Sequence, residues 1–86
     1  MLFDSKEAYC ILEVLKILNK GKSKYNLMFR TTKVSHTTLQ SVLKELEDRK
    51  FIKKYDIGHM NVDYEITDKG KKLLSNLIQI HDLIFD

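Results

Sequence analysis

The sequence has 86 residues, 43% of them hydrophobic, and a net charge of +3, which suits one small domain spanning residues 1–86. It has no apolar run long enough to cross a membrane, and its only cysteine, Cys10, excludes an internal disulfide and a cysteine-rich metal site. Without a signal peptide, we expect a cytoplasmic protein, prokaryotic or viral in the host cytoplasm.

The charge is distributed unevenly along the sequence. Residues 20–54 carry ten Lys/Arg and three Asp/Glu, a net charge of +7, whereas the remaining residues carry five Lys/Arg and nine Asp/Glu, a net charge of −4. This asymmetry favours a polyanionic partner.

The first predicted helix spans residues 4–19, begins at an Asp4 cap and ends before Gly21. Its main apolar stripe consists of Ala8, Ile11, Leu12, Leu15 and Leu18. A second stripe, formed by Cys10, Val14 and Ile17, lies on nearly the opposite side. A helix with apolar residues on two sides must be covered on two sides, and one small domain has little left to cover the second stripe.

Residues 24–49 have the helix-turn-helix pattern of two helices joined by a tight turn. The first, from about Lys24 to Thr31, is predicted to begin at a Ser23 cap. After the turn, Ser35 is in the position of an N-cap for a longer helix that ends near Arg49. The inward face of this longer helix consists of Leu39, Val42, Leu43 and Leu46.

The outer face of the longer helix has no carboxylate in its first two turns, and its acids come only from Glu45 onward. A helix that enters the major groove meets base edges with such N-terminal turns, whereas a polar face exposed to water is the alternative. The predicted base-contacting residues are His36, Thr37, Thr38, Gln40, Ser41 and Lys44.

Further cations and hydroxyls flank the short helix that precedes the turn. The predicted phosphate-contacting residues there are Lys22, Lys24, Tyr25, Arg30 and Lys33. Alternatively, the cations are only solvated surface charges, and Tyr25 packs at the rim of the core.

Residues 51–66 predict a β-hairpin wing, with two strands around a turn that contains Gly58. Its candidate DNA contacts are Lys53 and Lys54 of the first strand, with Gly58, His59 and Asn61 of the turn. The turn lacks the arginine that usually enters a minor groove, so we expect phosphate contacts. The alternative is that the two lysines only keep an edge strand soluble.

The last predicted helix spans residues 68–85, with Thr67 as its cap and Gly70 tolerated in its first turn. Its apolar arc is wider than one core contact needs, and part of it has the 4-3-4 spacing that suits a helix partner. We expect a two-fold homodimer on an inverted-repeat site, unless these stripes only pack within one chain. The predicted interface consists of Cys10, Val14, Ile17, Leu73, Leu77, Ile80, His81 and Ile84.

Patterns for catalysis or metal binding cannot be picked out. The histidines lack local metal-ligand spacing, and there is no nucleophile–base pair, phosphate-binding glycine loop or convergent carboxylates. We therefore expect no enzymatic activity, no metal or other cofactor, and no small-molecule ligand.

Three segments, residues 34–39, 43–52 and 64–74, resemble in this order three parts of winged helix-turn-helix proteins. These parts are the turn with the recognition helix, the start of the wing, and the junction to the last helix. The resemblance is strongest to small single-domain regulators of archaea and their viruses and plasmids, and to MarR- and PadR-type regulators. It implies a mainly α fold in the order α-α-α-β-β-α with a small β-hairpin wing, and a transcriptional regulator that binds specific double-stranded DNA sequences.

Other uses of a winged helix stay open. The main alternative is a protein-interaction module in a larger assembly, and a weaker one is an architectural or plasmid-partition protein with little sequence preference. The acid-free outer face favours DNA, since an interaction module would more often expose apolar residues there. Lys33 and Lys50 stand where the family commonly has glycine, so a left-handed backbone there would fall on lysines at some strain.

Overall fold

The computed structural model describes residues 6–56, 58 and 62–85. Four helices and three strands follow one another along the chain: α1 (Lys6–Asn19), β1 (Ser23–Lys24), α2 (Tyr25–Thr32), α3 (His36–Asp48), β2 (Ile52–Asp56), β3 (Val62–Ile66) and α4 (Asp68–Phe85). The mainly α winged-helix architecture is confirmed, and α4 has the predicted bounds. The predicted Asp4 cap lies outside the described residues. Within the described ranges, none of the helices has both the length and the hydropathy that crossing a bilayer requires.

A third strand, β1, adds to the predicted order α-α-α-β-β-α. It joins the hairpin in an antiparallel sheet of order β1-β3-β2, in which Ser23 pairs with Tyr64 and Lys24 with Asp63. Ser23 is buried in this pairing, so the prediction that it caps α2 is wrong. The N-cap of α2 is the extended residue Lys24, which makes no side-chain capping bond.

The hairpin of β2 and β3 confirms the predicted wing strands. Ile52 pairs with Ile66, and Lys54 pairs with Tyr64. Ile52, Tyr64 and Ile66 are buried, whereas Lys53 and Lys54 are exposed, so one face of the hairpin closes the core.

Helix α1 is the centre of the core, since it packs against α2, α3, α4 and β3. Its two apolar stripes are both covered within one chain, because Cys10 and Val14 are fully buried and Ile17 packs against the core. The prediction that the second stripe needs a second chain is therefore wrong. Burial, and secondly the negative charge of Glu7, raises the pKa of the Cys10 thiol to about 11, so this thiol stays protonated at neutral pH.

The start of α4 is fixed against the segment between α3 and β2 by Thr67 and Gly70. The Thr67 hydroxyl accepts a hydrogen bond from the Gly70 amide at 3.0 Å and donates to the carbonyl oxygen of Lys50 at 2.7 Å, which confirms the predicted cap. A β-carbon at Gly70 would overlap the carbonyl oxygen of Phe51 and lie 2.7 Å from Cγ1 of Ile66. Glycine is therefore required here, and the prediction that it is only tolerated is wrong.

The two lysines that replace family glycines do adopt the left-handed conformation. Lys33 follows α2 with φ 59°, and Lys50 follows α3 with φ 68°. Each lysine follows the end of a helix in a backbone conformation that is strained for any residue with a β-carbon.

Candidate nucleic-acid interface

The turn before α3 fixes where this helix begins. The Ser35 hydroxyl accepts a hydrogen bond from the Thr38 amide at 3.1 Å and donates to the Thr38 hydroxyl at 3.0 Å, which confirms Ser35 as the N-cap. On the other side of the turn, the amide of the left-handed residue Lys33 donates to the Phe29 carbonyl at 3.2 Å. These bonds satisfy backbone groups at the end of α2 and at the start of α3, and so define the limits of the turn between them.

The outer face of α3 contains most of the predicted base-contacting residues. Thr37, Gln40, Ser41 and Lys44 are exposed, as is His36 at the first position of the helix. Thr38 differs, because it is half-buried and its hydroxyl is engaged with the cap. The structure thus gives Thr38 a place in the N-terminal cap, apart from the exposed row.

His36 and Tyr25, predicted to contact bases and phosphates respectively, lie next to each other. The Tyr25 hydroxyl and Nδ1 of His36 are 2.8 Å apart, and the His36 ring stacks on Phe29 with ring centroids 3.7 Å apart. Sequence reasoning missed this cluster because the two polar residues are 11 positions apart and lie on different helices.

An open cleft of about 420 Å³ lies between the outer part of α3 and the sheet. It is lined by Tyr25, Gln40, Leu43, Lys44, Glu47, Lys54 and Tyr64. Sequence reasoning missed Glu47 and Tyr64, since the alternation in β3 indicates only that Tyr64 points toward the core. Burial, followed by the charge of Glu47, raises the pKa of Tyr64, so its hydroxyl is an uncharged hydrogen-bonding group in this cleft.

The predicted phosphate-contacting cations fall into two groups. Lys24 forms an ion pair with Asp63 at 3.2 Å across the strands, and the Lys22 ammonium lies 4.7 Å from the centroid of the Tyr55 ring. These two lysines have structural contacts within the sheet, which reduces the charge that Lys24 offers to a ligand.

The second group consists of cations without a carboxylate partner among the described residues. In the part of the chain that the structure describes, no carboxylate forms an ion pair with Arg30, Lys33, Lys53 or Lys54, and all four side chains are exposed. Lys44 is intermediate, since it lies 3.8 Å from Asp48 in an ion pair that is open to solvent and therefore weak.

The predicted turn of the wing is only partly described. Gly58 is exposed, and its amide donates to the Asp56 carboxylate at 3.1 Å, which closes the end of β2. His59 and Asn61 lie outside the described residues. No cluster of three or more potential metal ligands occurs among the residues that are described.

Exposed apolar side chains collect on α1 and α4, away from α3. Five of the seven large exposed apolar side chains of the described residues lie there, namely Tyr9, Ile78, Ile80, Leu83 and Phe85, and the other two are Leu27 of α2 and Tyr55 of β2. A groove of about 390 Å³ lies between the two helices, with Tyr9, Ile78 and Phe85 among its lining residues. Sequence reasoning missed Leu83, which is 84% exposed, because it lies outside the 4-3-4 spacing.

The predicted dimer residues are distributed unevenly over this region. Leu73 and Leu77 are partly buried against the core, His81 and Ile84 are half-buried, and Ile80 is 37% exposed. Cys10 and Val14 have no exposed surface and are removed from the candidate interface.

The sequence over residues 6–85 matches the winged helix-turn-helix family, and the chain belongs to that family. It is similar to the solved structure of smu.1704 from Streptococcus mutans, with 26% identity and a TM-score of 0.80 over 93% of this chain and 81% of that one. It is also similar to a transcriptional regulator from Clostridium thermocellum, with 25% identity and a TM-score of 0.79 over 88% and 82% of the two chains. A MepR mutant from S. aureus shares the fold, with 24% identity and a TM-score of 0.73 over 95% and 61%. None of the curated proteins matches the sequence.

Proposed function

We propose that this protein is a transcriptional regulator that binds specific sequences of double-stranded DNA through α3, as a homodimer. The observation that carries the proposal is the composition of the exposed face of α3. From Thr37 to Lys44 this face presents hydroxyls, an amide and a cation without a carboxylate, and none of the large exposed apolar side chains of the described residues belongs to α3. Base edges in a major groove offer the hydrogen-bonding partners that such a face needs.

Base contacts are assigned to the exposed row of Thr37, Gln40, Ser41 and Lys44. The Gln40 amide can pair with the N6 and N7 atoms of adenine, and the Thr37 methyl group can contact the methyl group of thymine. His36, at the start of the same helix, is assigned to a contact with either a base or a phosphate.

Phosphate contacts are assigned to the exposed cations on both sides of α3. Arg30 and Lys33 belong to α2 and the turn, and Lys53 and Lys54 belong to the wing strand β2. Their lack of ion pairs within the described residues supports this role, because a cation without a carboxylate partner is available to a phosphate. Lys22 and Lys24 contribute less, since both already contact the sheet.

The homodimer is assigned to α4 together with the adjoining surface of α1. Isolated exposed apolar residues are common on proteins, but five large exposed apolar side chains lie on the neighbouring helices α1 and α4, and Tyr9, Ile78 and Phe85 among them line one groove. If two α4 helices pack against each other about a two-fold axis, the two α3 helices would lie on the same side of the dimer, about one DNA turn or roughly 34 Å apart. The site would then be an inverted repeat.

A pair of substitutions separates base contacts from phosphate contacts. After a preferred site has been selected from random duplexes, Gln40→Ala should weaken binding to that site by about 1–3 kcal/mol and leave binding to scrambled duplex nearly unchanged. Lys53→Ala should weaken binding to both duplexes alike. Lys71→Ala removes the same charge from the exposed surface of α4 and serves as the control, with no expected effect.

The result for Gln40→Ala decides the assignment of the base-contacting face. Equal weakening of the selected and scrambled duplexes would show that Gln40 does not contact bases. Fluorescence anisotropy at a fixed salt concentration measures all these affinities on one scale.

A protein-interaction module is the second candidate, and the apolar surface of α1 and α4 favours it. That surface could bind a different protein instead of a second copy of this chain. Absence of binding to any duplex at low salt, in a correctly folded protein, would support this candidate.

A further inference from the structure

Three nearly parallel rings lie between α2 and the first turn of α3. The ring planes of Phe29 and His36 differ by 11°, with centroids 3.7 Å apart. The Tyr25 ring is inclined by 8° to the His36 ring, with centroids 5.7 Å apart, and by 8° to Phe29, at 6.2 Å. The imidazole is therefore held on one face by Phe29 and at one edge by Tyr25.

The edge contact is a hydrogen bond between the Tyr25 hydroxyl and Nδ1 of His36, 2.8 Å long. A phenol hydroxyl is a good donor and a weak acceptor, because its oxygen lone pair is delocalised into the ring. The unprotonated nitrogen of a neutral imidazole is a strong acceptor. Burial, and secondly the Cys10 thiol, raises the pKa of Tyr25, so the hydroxyl keeps the proton that it donates.

A ring flip would replace Nδ1 with a carbon at this edge and break the hydrogen bond. The nitrogen of His36 that Tyr25 does not occupy is Nε2, and the residue as a whole is exposed at the start of α3. In a neutral imidazole, the hydrogen bond at one nitrogen determines which nitrogen carries the proton.

We propose that Tyr25 and Phe29 fix His36 in the tautomer protonated at Nε2, so that His36 presents one oriented N–H donor to a hydrogen-bond acceptor on duplex DNA. Tyr25 is then a positioning residue that does not need to contact DNA itself. This inference rests on the proposed function for its ligand, although the tautomer is a property of the protein alone.

The tautomer determines which chemistry His36 can recognise. An Nε2–H donor pairs with a phosphate oxygen or with an acceptor on a base edge, such as N7 of guanine. The opposite tautomer would present a bare nitrogen, which pairs with the amino groups of adenine or cytosine and is repelled by phosphate. Fixing the donor therefore excludes one class of contact at this position.

Nitrogen-15 NMR of the histidine rings tests the tautomer without DNA. At a pH where the spectrum shows a neutral ring, the wild-type protein should give a pyrrole-type Nε2 and a pyridine-type, hydrogen-bonded Nδ1. Tyr25→Phe should move the Nδ1 shift toward that of a water-exposed ring. Tyr55→Phe, which removes another exposed tyrosine hydrogen bond, at 3.0 Å to Glu65, should leave the His36 signals unchanged. A pyrrole-type Nδ1 in the neutral wild-type protein would overturn the proposal.

DNA binding tests the role of the donor. His36→Leu should weaken binding to the selected duplex about three- to tenfold, as expected for one lost hydrogen bond, and His36→Gln, which keeps an N–H donor, should lose less. The loss of affinity for Tyr25→Phe should lie between the losses for His36→Gln and His36→Leu. Comparison of melting temperatures separates these losses from unfolding.

Modified duplexes distinguish the two kinds of acceptor. If a base accepts the bond, replacing one guanine by 7-deazaguanine should abolish the difference between wild type and His36→Leu. If a phosphate accepts the bond, replacing one phosphate by a methylphosphonate should abolish this difference. Equal affinities of His36→Leu and wild type on an unmodified duplex would overturn this inference alone. Failure of the wild type to bind any duplex would overturn the proposed function and the DNA part of this inference, and the NMR result would still decide the tautomer.

Discussion

Gly70, in the first turn of α4, lies so close to the carbonyl group of Phe51 that no β-carbon fits between them. An alanine normally stabilises a helix relative to glycine by about 1 kcal/mol. Here the added methyl group would overlap backbone and also meet Ile66 at 2.7 Å, so α4 would have to move away from the hairpin. We expect Gly70→Ala to lower the free energy of unfolding by about 1–3 kcal/mol in chemical denaturation.

The control for this substitution is Asn76→Ala, at an exposed position of the same helix. It adds helix propensity without a steric conflict and should leave the free energy of unfolding unchanged or raise it by a few tenths of a kcal/mol. Equal stability of Gly70→Ala and wild type would contradict the close approach of α4 to the Phe51 carbonyl group.

Lys50 has φ 68°, which is unfavourable for a side chain with a β-carbon. Lys50→Gly should therefore raise the free energy of unfolding by about 0.5–1 kcal/mol, although it removes a charge from the basic segment. Lys53→Gly is the matched control, because residue 53 lies within β2, where glycine should cost about 0.5–1 kcal/mol. If both substitutions destabilise the protein equally, the left-handed conformation at residue 50 is wrong.

The surface of α4 gives a prediction about oligomeric state. Ile80 is 37% exposed and makes no part of the buried core, so Ile80→Glu should leave the monomer folded. In a dimer that covers this residue, the same change would bury a charge and favour dissociation. Sedimentation velocity should show dimers for wild type and monomers for Ile80→Glu. The control is Lys71→Glu, at an exposed position on the opposite side of α4 from Ile80, which should remain dimeric. A wild-type monomer at micromolar concentration would refute the dimer.

Local signals account for the parts of the fold that could be predicted from the sequence. Ser35 and Thr67 are capping residues directly before apolar-periodic segments, and both make the predicted bonds. The hairpin follows from two strand-forming segments around a short turn. Each of these features depends on neighbours in the chain, so its physics is visible in the sequence.

Features that depend on distant residues could not be predicted. Strand β1 has two residues and exists because Ser23 and Lys24 meet β3, far along the chain. The burial of Cys10 and Val14 depends on how many elements surround α1, which a helical pattern does not reveal. The candidate site was predicted as a face of α3, whereas the contact of Tyr25 with His36 and the cleft toward Tyr64 arise from packing between elements.

A salt titration of duplex binding tests the central claim most directly. With about six phosphate contacts per dimer, a plot of the logarithm of the binding constant against the logarithm of the salt concentration should have a slope of about −5, from roughly −0.9 for each phosphate. The selected duplex should bind more tightly than scrambled duplex at every salt concentration. A slope near zero, or no binding to duplex DNA at low salt, would contradict the assignment of this protein as a DNA-binding regulator.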